Sequence, residues 1–277
     1  MSRPFDKFVG IDLGGGKGKN TALAVLKSSP EGVTVVDLAP RARAAPLYDT
    51  ALLDLLRAAG DNVLCAIDAP LTLPACLRCE VPVCPGQDPC TDASVISMRR
   101  LATISKESNR DARRGKPHVT PYTQRATEVY LDKCRGILPR ETLGQGMGPL
   151  TARAAHLMRA LADRFVLNQN LIEVYPRATL ELLGLCDPYK KRIDTRLNML
   201  ARLDGLNFAP GVWREECVHS DHLFDAVICA YTAYLWSRDG WQLPAEAAGV
   251  PIHDGWIWVP PVVAQSAINQ DERLSLP

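Results

Sequence analysis

The chain has 277 residues, with 32 basic against 31 acidic side chains for a net charge of +1, and is 47% hydrophobic and 23% charged. These are ordinary globular proportions, enough for one elaborated domain or a domain with an insertion, and they exclude a protein coated throughout with cationic charge. No stretch approaches the ~18 apolar residues of a membrane span, and the opening MSRPFDKFVG lacks the apolar core of a signal peptide. A cytoplasmic protein with no membrane partner is expected, its nine cysteines reduced or bound to metal.

The first predicted element is a strand at Phe8-Val9-Gly10-Ile11 that runs into Asp12. Gly14 to Gly16, Lys17, Gly18 and Lys19 make a Gly-rich turn, and Thr21 to Leu26 returns as a second strand. Gly32 to Leu38 reads as a third strand, and Arg41 to Leu47 is a further β-type run. Leucines at 52, 53, 55 and 56 give Thr50 to Ala59 helical spacing, closed by Gly60. Val63 to Asp68 is a short apolar run suited to a central strand, ended by an acid and then Pro70.

From Leu71 to Pro149 periodicity weakens and Pro, Cys and Arg accumulate, which predicts an insertion. A helix is expected at Leu150 to Phe165, with Leu150, Ala154, Leu157, Met158 and Leu161 on one apolar face. Leu171 to Tyr175 reads as a strand in which Ile172 and Val174 point one way, Glu173 and Tyr175 the other. Helices are predicted at Arg177 to Leu183, Arg192 to Leu203 and Asp221 to Trp236, the last capped by Ser220. Gly255 to Val259 is a late apolar run, and 262–277 reads as a flexible tail.

Four acids fall at comparable places in this succession: Asp12, Asp68, Glu173 and Asp225. Burying a carboxylate is costly without a partner. Glu is depleted in strands, so Glu173 between two β-branched residues is a misfit, as is Asp225 among Leu223, Phe224, Ala226 and Val227. Asp12 and Asp68 also suit strand-end loops, and Asp221, one turn before Asp225, suits the first turn of a helix. Two-metal phosphodiester hydrolysis needs acids that hold cations ~3.5–4 Å apart, and carboxylates suit Mg²⁺ or Mn²⁺. The expected fold is α/β and RNase H-like: a mixed five-stranded sheet flanked by helices over 1–261, with a Cys-rich, basic insertion at 71–149.

The segments GIDLGGGKGKNTALAVL, AIDAPLTLP, TPYTQRATE, MGPLTARA, IEVYPRATLELLGL, DHLFDAVICAYTAYL and GWIWVP together resemble the predicted RNase H-like nuclease family catalogued as domain of unknown function 429. The resemblance covers most of Phe8 to Pro260. It implies an RNase H-like fold, a metal-dependent nuclease activity and, by position, Asp12, Asp68, Glu173 and Asp225 as the acidic set. Asp221 is a further candidate ligand. Lys17, Lys19, Arg125 and Arg177 are candidates for substrate binding, with Glu128 beside Arg125, and Arg177 has the geometry to hold a phosphate bidentately. His219 and His222 flank Asp221 as possible ligands or bases, or as ordinary surface and core histidines.

Cys76, Cys79, Cys84 and Cys90 are spaced C-x2-C-x4-C-x5-C. Thiolates at this density suit Zn²⁺ or an iron–sulfur cluster, with free or redox-active thiols as the alternative and Cys134 as a possible substitute ligand. Cys65, Cys186 and Cys229 read as small core residues. Between Ser97 and Arg140 there are eleven Lys or Arg against four Asp or Glu, a basic segment that suits either a polyanion or a solvated helical face. Two other functions fit the sequence. One is an ATP-using phosphotransferase of the sugar kinase and actin type, with Gly14 to Thr21 as its phosphate-binding hairpin. The other is a non-catalytic nucleic-acid binder.

Overall fold

The computed structural model describes residues 5–39, 46–104, 117–212 and 214–261. The Arg41 to Leu47 run falls largely outside the described residues, as do 105–116 of the basic segment and the 262–277 tail.

The chain is a mixed α/β structure built on a seven-stranded sheet. Its strands are β1 Lys7–Asp12, β2 Ala22–Ser29, β3 Gly32–Ala39, β4 Val63–Asp68, β5 Leu171–Val174, β6 Leu206–Phe208 and β7 Ile257–Trp258, in the spatial order β6-β3-β2-β1-β4-β5-β7. β2 pairs antiparallel with β1 and with β3, and the other neighbours are parallel. The expected five strands are thus extended by one short strand at each edge. Leu206–Phe208 is too short to show a period of two, so the sequence pattern hides it, whereas Ile257–Trp258 lies within the late apolar run Gly255 to Val259.

Both faces of the sheet are covered, as the continuous apolar runs of β1 and β4 require. Val9 and Ile11 of β1 and Cys65 and Ile67 of β4 pack with α1 (Asp49–Arg57) and α4 (Gly148–Ala160). Phe8 of β1 and Leu64 and Ala66 of β4 face the other way, into a core dominated by α8 (Asp221–Asp239). This last helix is apolar nearly all round, as a fully buried helix must be. The Ser220 hydroxyl accepts from the Leu223 amide at its start, and left-handed Gly240 ends it.

The segment between β4 and β5 is more regular than its composition predicts. It forms α2 (Ala93–Ala102) and α3 (Ala126–Arg135), whose Met98, Leu101, Val129 and Leu131 join the same core as α8. Both helices are short and charged at their ends, which dilutes their helical period in the sequence. The remaining helices are α5 (Pro176–Leu182), α6 (Ile193–Arg202) and α7 (Arg214–His219). Among the described residues, no helix is long and apolar enough to cross a membrane.

Helix α8 lies on β1 at near backbone contact. A Cβ on Gly10 would stand 2.0 Å from the Ala226 carbonyl oxygen and 2.3 Å from the Ala230 amide nitrogen. No side chain fits there without moving the helix. Gly10→Val is therefore expected to cost roughly 3 kcal/mol or to prevent soluble expression. Gly15→Ala, where nothing lies within 4 Å, should leave the thermal midpoint nearly unchanged. Thermal unfolding of the two variants checks this.

Candidate functional site

The last residues of β1 and β4 are register partners, so Asp12 and Asp68 stand side by side at the C-terminal edge of two parallel strands. Alternation puts both on the face covered by α8, since Asp12 has the parity of Phe8 and Asp68 that of Leu64 and Ala66. Helix α8 supplies the third acid. Cys229 donates its thiol to the Ile11 carbonyl at 3.6 Å, and Asp225 lies one turn earlier, over the strand ends. Burial pushes the Asp68 carboxyl well above the usual carboxylate range, and the neighbouring Asp12 and Asp225 push it further. Burial likewise raises Asp225, to about 6, against the opposing charge of Lys190.

Two of these acids already have partners. His222 Nδ1 lies 2.6 Å from Asp12 Oδ2, and this bond raises the imidazole's pKa above its ordinary value. Tyr189 donates its hydroxyl to Asp225 Oδ1 at 2.9 Å, and the Lys190 ammonium donates to Oδ2. Burial, then the charge of Asp225, keeps the Tyr189 phenol protonated as a donor. Tyr189 and Lys190 were not apparent from the sequence. The run Tyr189-Lys190-Lys191-Arg192 was their one signal, and cations in a loop ordinarily mark a solvated surface.

Glu173 behaves differently. Leu171 of β5 packs on the α1 and α4 side while Ile172 and Val174 pack on the α8 side, so Glu173 leaves the sheet on the face opposite to the other three acids, although it lines the same cleft at the strand ends. There it meets Arg125, which is buried. Nη1 donates to Glu173 Oε2 at 2.7 Å and Nη2 to Oε1 at 2.6 Å, while Nε donates to Glu128 Oε1 at 3.0 Å. The Leu71 amide adds a bond to Glu173 Oε2 at 3.0 Å. Arg125 is thus committed to two buried carboxylates and has little left for a substrate.

The Gly-rich turn is held from beneath by Arg153. Its Nη1 donates to the Gly14 carbonyl at 2.7 Å and to Thr21 Oγ1 at 2.6 Å, and its Nε donates to Asp49 at 2.7 Å. Gly18 has φ 67°, and a Cβ there would lie 2.6 Å from Arg153 Nη2. Lys17 and Lys19 are exposed on this turn and do not line the acidic cleft.

That cleft, of about 440 Å³, is lined by all four predicted acids together with Arg125, Arg140, Arg177, Tyr189 and Lys190. Arg177 is mostly exposed and pairs with Glu181 at 2.7 Å. Asp221 is outside the lining, and His219 is turned away, its Nδ1 2.6 Å from the Glu215 carbonyl. Among the described residues, no three His, Cys, Asp or Glu side chains stand ready to share one ion. Asp12 is instead bonded to His222, Asp225 to Tyr189 and Lys190, and Glu173 to Arg125.

Cys76, Cys79, Cys84 and Cys90 are free thiols on a largely exposed loop. They are close enough that Cys84, Cys90 and Cys79 add to the burial that raises the Cys76 thiol. The loop is pinned by Arg99, which donates to the carbonyls of Gln87 and Cys90, and by the Arg78–Asp254 ion pair at 2.7 Å. Cys134 is partly buried against the α8 core rather than joined to the four, Cys229 is buried in that core, and Cys65 is buried in the core on the other face of the sheet. Cys186, expected in the core, is exposed at the turn after α5.

Parallel strands carrying acids at one edge beneath a capping helix define an α/β protein with an acidic cleft. Residues 10–248 match the family described as Protein of unknown function (DUF429), and the chain belongs to that family. No curated protein and no solved structure matches the chain.

Arg125→Met leaves Glu128 and Glu173 buried without a counter-charge and is expected to cost roughly 3–5 kcal/mol, read by chemical denaturation. A second expectation concerns pH. The folded carboxyls of Asp68 and Asp225 titrate above the ordinary 3.8, so the folded chain holds protons that the unfolded chain has released. Their contribution to stability therefore falls as pH rises from about 4 through 6. Asp68→Asn should raise the thermal midpoint of the metal-free protein at the alkaline end of the range by roughly 3–8 °C. The gain should shrink toward pH 4, where the wild-type Asp68 carboxyl is protonated. Thermal scans in chelator from pH 4 to 8 check the sign.

Proposed function

We propose that this protein is a nuclease that hydrolyses phosphodiester bonds of DNA or RNA with Mg²⁺ or Mn²⁺, on an RNase H-like fold. The carrying observation is the convergence of Asp12, Asp68 and Asp225, from β1, β4 and α8, on one cleft. Burial first, and then the like charges of Asp12 and Asp225, drive Asp68 toward its neutral form, as expected of a carboxyl in a buried acidic cluster. The strand succession β3-β2-β1-β4-β5, with its first two pairings antiparallel, supports the fold that the sequence resemblance implied.

A divalent cation fits this donor set. The donors are hard carboxylate oxygens, which suit Mg²⁺ and Mn²⁺, and the Lys190 ammonium already stands among them as a cation. Asp12, Asp68 and Asp225 would hold such ions. When bound, the ions would activate water and offset charge on the leaving oxygen. Glu173 joins them only if Arg125 releases it, and in this arrangement it fixes Arg125 at the cleft floor. Arg140 and Arg177 line the same cleft, where they would position a phosphodiester backbone. His222 holds the Asp12 carboxylate in place and can carry a proton beside it. The partner is then nucleic acid and the expected location the cytoplasm.

The test is cleavage of labelled single-stranded, duplex, hybrid and junction substrates with Mg²⁺ or Mn²⁺, for wild type and Asp68→Asn prepared identically. Cleavage is expected to need the metal and to fall in the variant by more than the roughly 10–100-fold that losing an outer partner costs. ATP turnover with no cleavage would favour the phosphotransferase. Binding without turnover, insensitive to Asp68→Asn, would favour the non-catalytic binder.

A further inference from the structure

Asp225 is 1% exposed, and both of its carboxylate oxygens are taken by one dipeptide, Oδ1 by the Tyr189 hydroxyl and Oδ2 by the Lys190 ammonium. That dipeptide is held rigidly. Arg196, itself buried, donates to the Tyr189 carbonyl at 2.7 Å, to the Lys190 carbonyl at 2.9 Å and to the Val218 carbonyl at 2.6 Å. One guanidinium thus fixes the loop against the segment that leads into α8. The Tyr189 ring also packs on Phe224, with ring centroids 5.1 Å apart. Lys190 differs from its support: its side chain is 55% exposed, and it lines both the acidic cleft and a neighbouring groove of about 500 Å³. Its backbone is fixed while its ammonium has somewhere to go.

We infer that Lys190 is the resident counter-cation of the acidic cleft, holding Asp225 until a divalent ion displaces it and thereby setting the affinity of the cleft for that ion. The inference rests on the cation-binding role proposed for Asp12, Asp68 and Asp225. A buried carboxylate with no counter-charge is costly, so the metal-free protein needs a cation at Asp225. A divalent ion approaching Oδ2 meets the ammonium and must move it. The exchange breaks no covalent bond and replaces one positive charge with two beside three carboxylates. Tyr189 can keep its bond to Oδ1 throughout, which leaves Asp225 oriented after Lys190 has gone.

The test is Mn²⁺ titration of the full chain, without nucleic acid, following free Mn²⁺ by its paramagnetic resonance. Wild type, Lys190→Met, Lys190→Arg and Lys191→Met are compared. Lys191 is exposed and makes no bond to Asp225, so its variant corrects for a general change of charge. Lys190→Met is expected to bind Mn²⁺ on the order of tenfold more tightly and to unfold at a lower temperature in chelator. Lys190→Arg should stay near wild type, and Lys191→Met within about twofold. Equal Mn²⁺ affinity in Lys190→Met and wild type, or equal tightening in Lys191→Met, overturns the inference even if the wild type cleaves nucleic acid. Tighter binding in Lys190→Met with no cleavage of any substrate upholds it and overturns the nuclease assignment alone. Absence of Mn²⁺ binding in all four proteins overturns both.

Discussion

The acidic cleft depends on how closely α8 can approach β1. At Gly10 the helix backbone takes the space that a side chain would occupy, against the Ala226 carbonyl and the Ala230 amide. A side chain at position 10 would hold α8 off the strand and lift Asp225 away from the strand ends. The missing Cβ lowers it instead toward Asp12 and Asp68. The apolar girth of α8 makes this placement stable, since fourteen of its nineteen residues are buried and the helix has no solvent face along which to slide.

Bringing acids together creates an electrostatic problem, and the chain answers it with a different cation for three of the four. His222 meets Asp12, Lys190 meets Asp225, and Arg125 meets Glu173. These partners differ in how readily they let go. The Arg125 guanidinium is buried and shared between two carboxylates, so releasing it would strand charge in the core. Lys190 is half in solvent and His222 is a weak base by nature. The cleft is therefore fixed on one side of the sheet and yielding on the other. Asp68, whose carboxyl is raised by burial and then by its acidic neighbours, has only the more distant charge of Lys190 to oppose them.

Much of this was legible in the sequence. Strands β1 to β5 declare themselves by continuous apolar runs, and acids at their ends are conspicuous because charge is costly there. The alternation of Ile172 and Val174 against Glu173 was legible too, although the acid was grouped with Asp12, Asp68 and Asp225 as one ligand set. What alternation cannot say is who waits on the other face. Arg125 is separated from Glu173 by 48 residues, and nothing local in YTQRATE distinguishes a buried guanidinium from a substrate-binding one. Lys190 escaped notice for the opposite reason: a cation among cations reads as surface until a helix 35 residues later presents its buried acid. Cys186, expected in the core from its apolar neighbours, sits exposed because α5 ends before it.

The Arg125 cluster also bears on how this chain can be taken apart. In the sequence, the stretch between β4 and β5 looks like a cassette threaded into a simpler domain. Yet its arginine neutralises a glutamate of the central sheet, its threonine Oγ1 at 127 accepts from the Ile257 amide of the last strand, and α2 and α3 fill the core under α8. Excising it would leave a bare carboxylate in β5 and open the interior. Modularity in this protein stops at the primary structure: the segment stands apart by composition and acts as a keystone by physics, so a chain shortened there would also need another residue in place of Glu173.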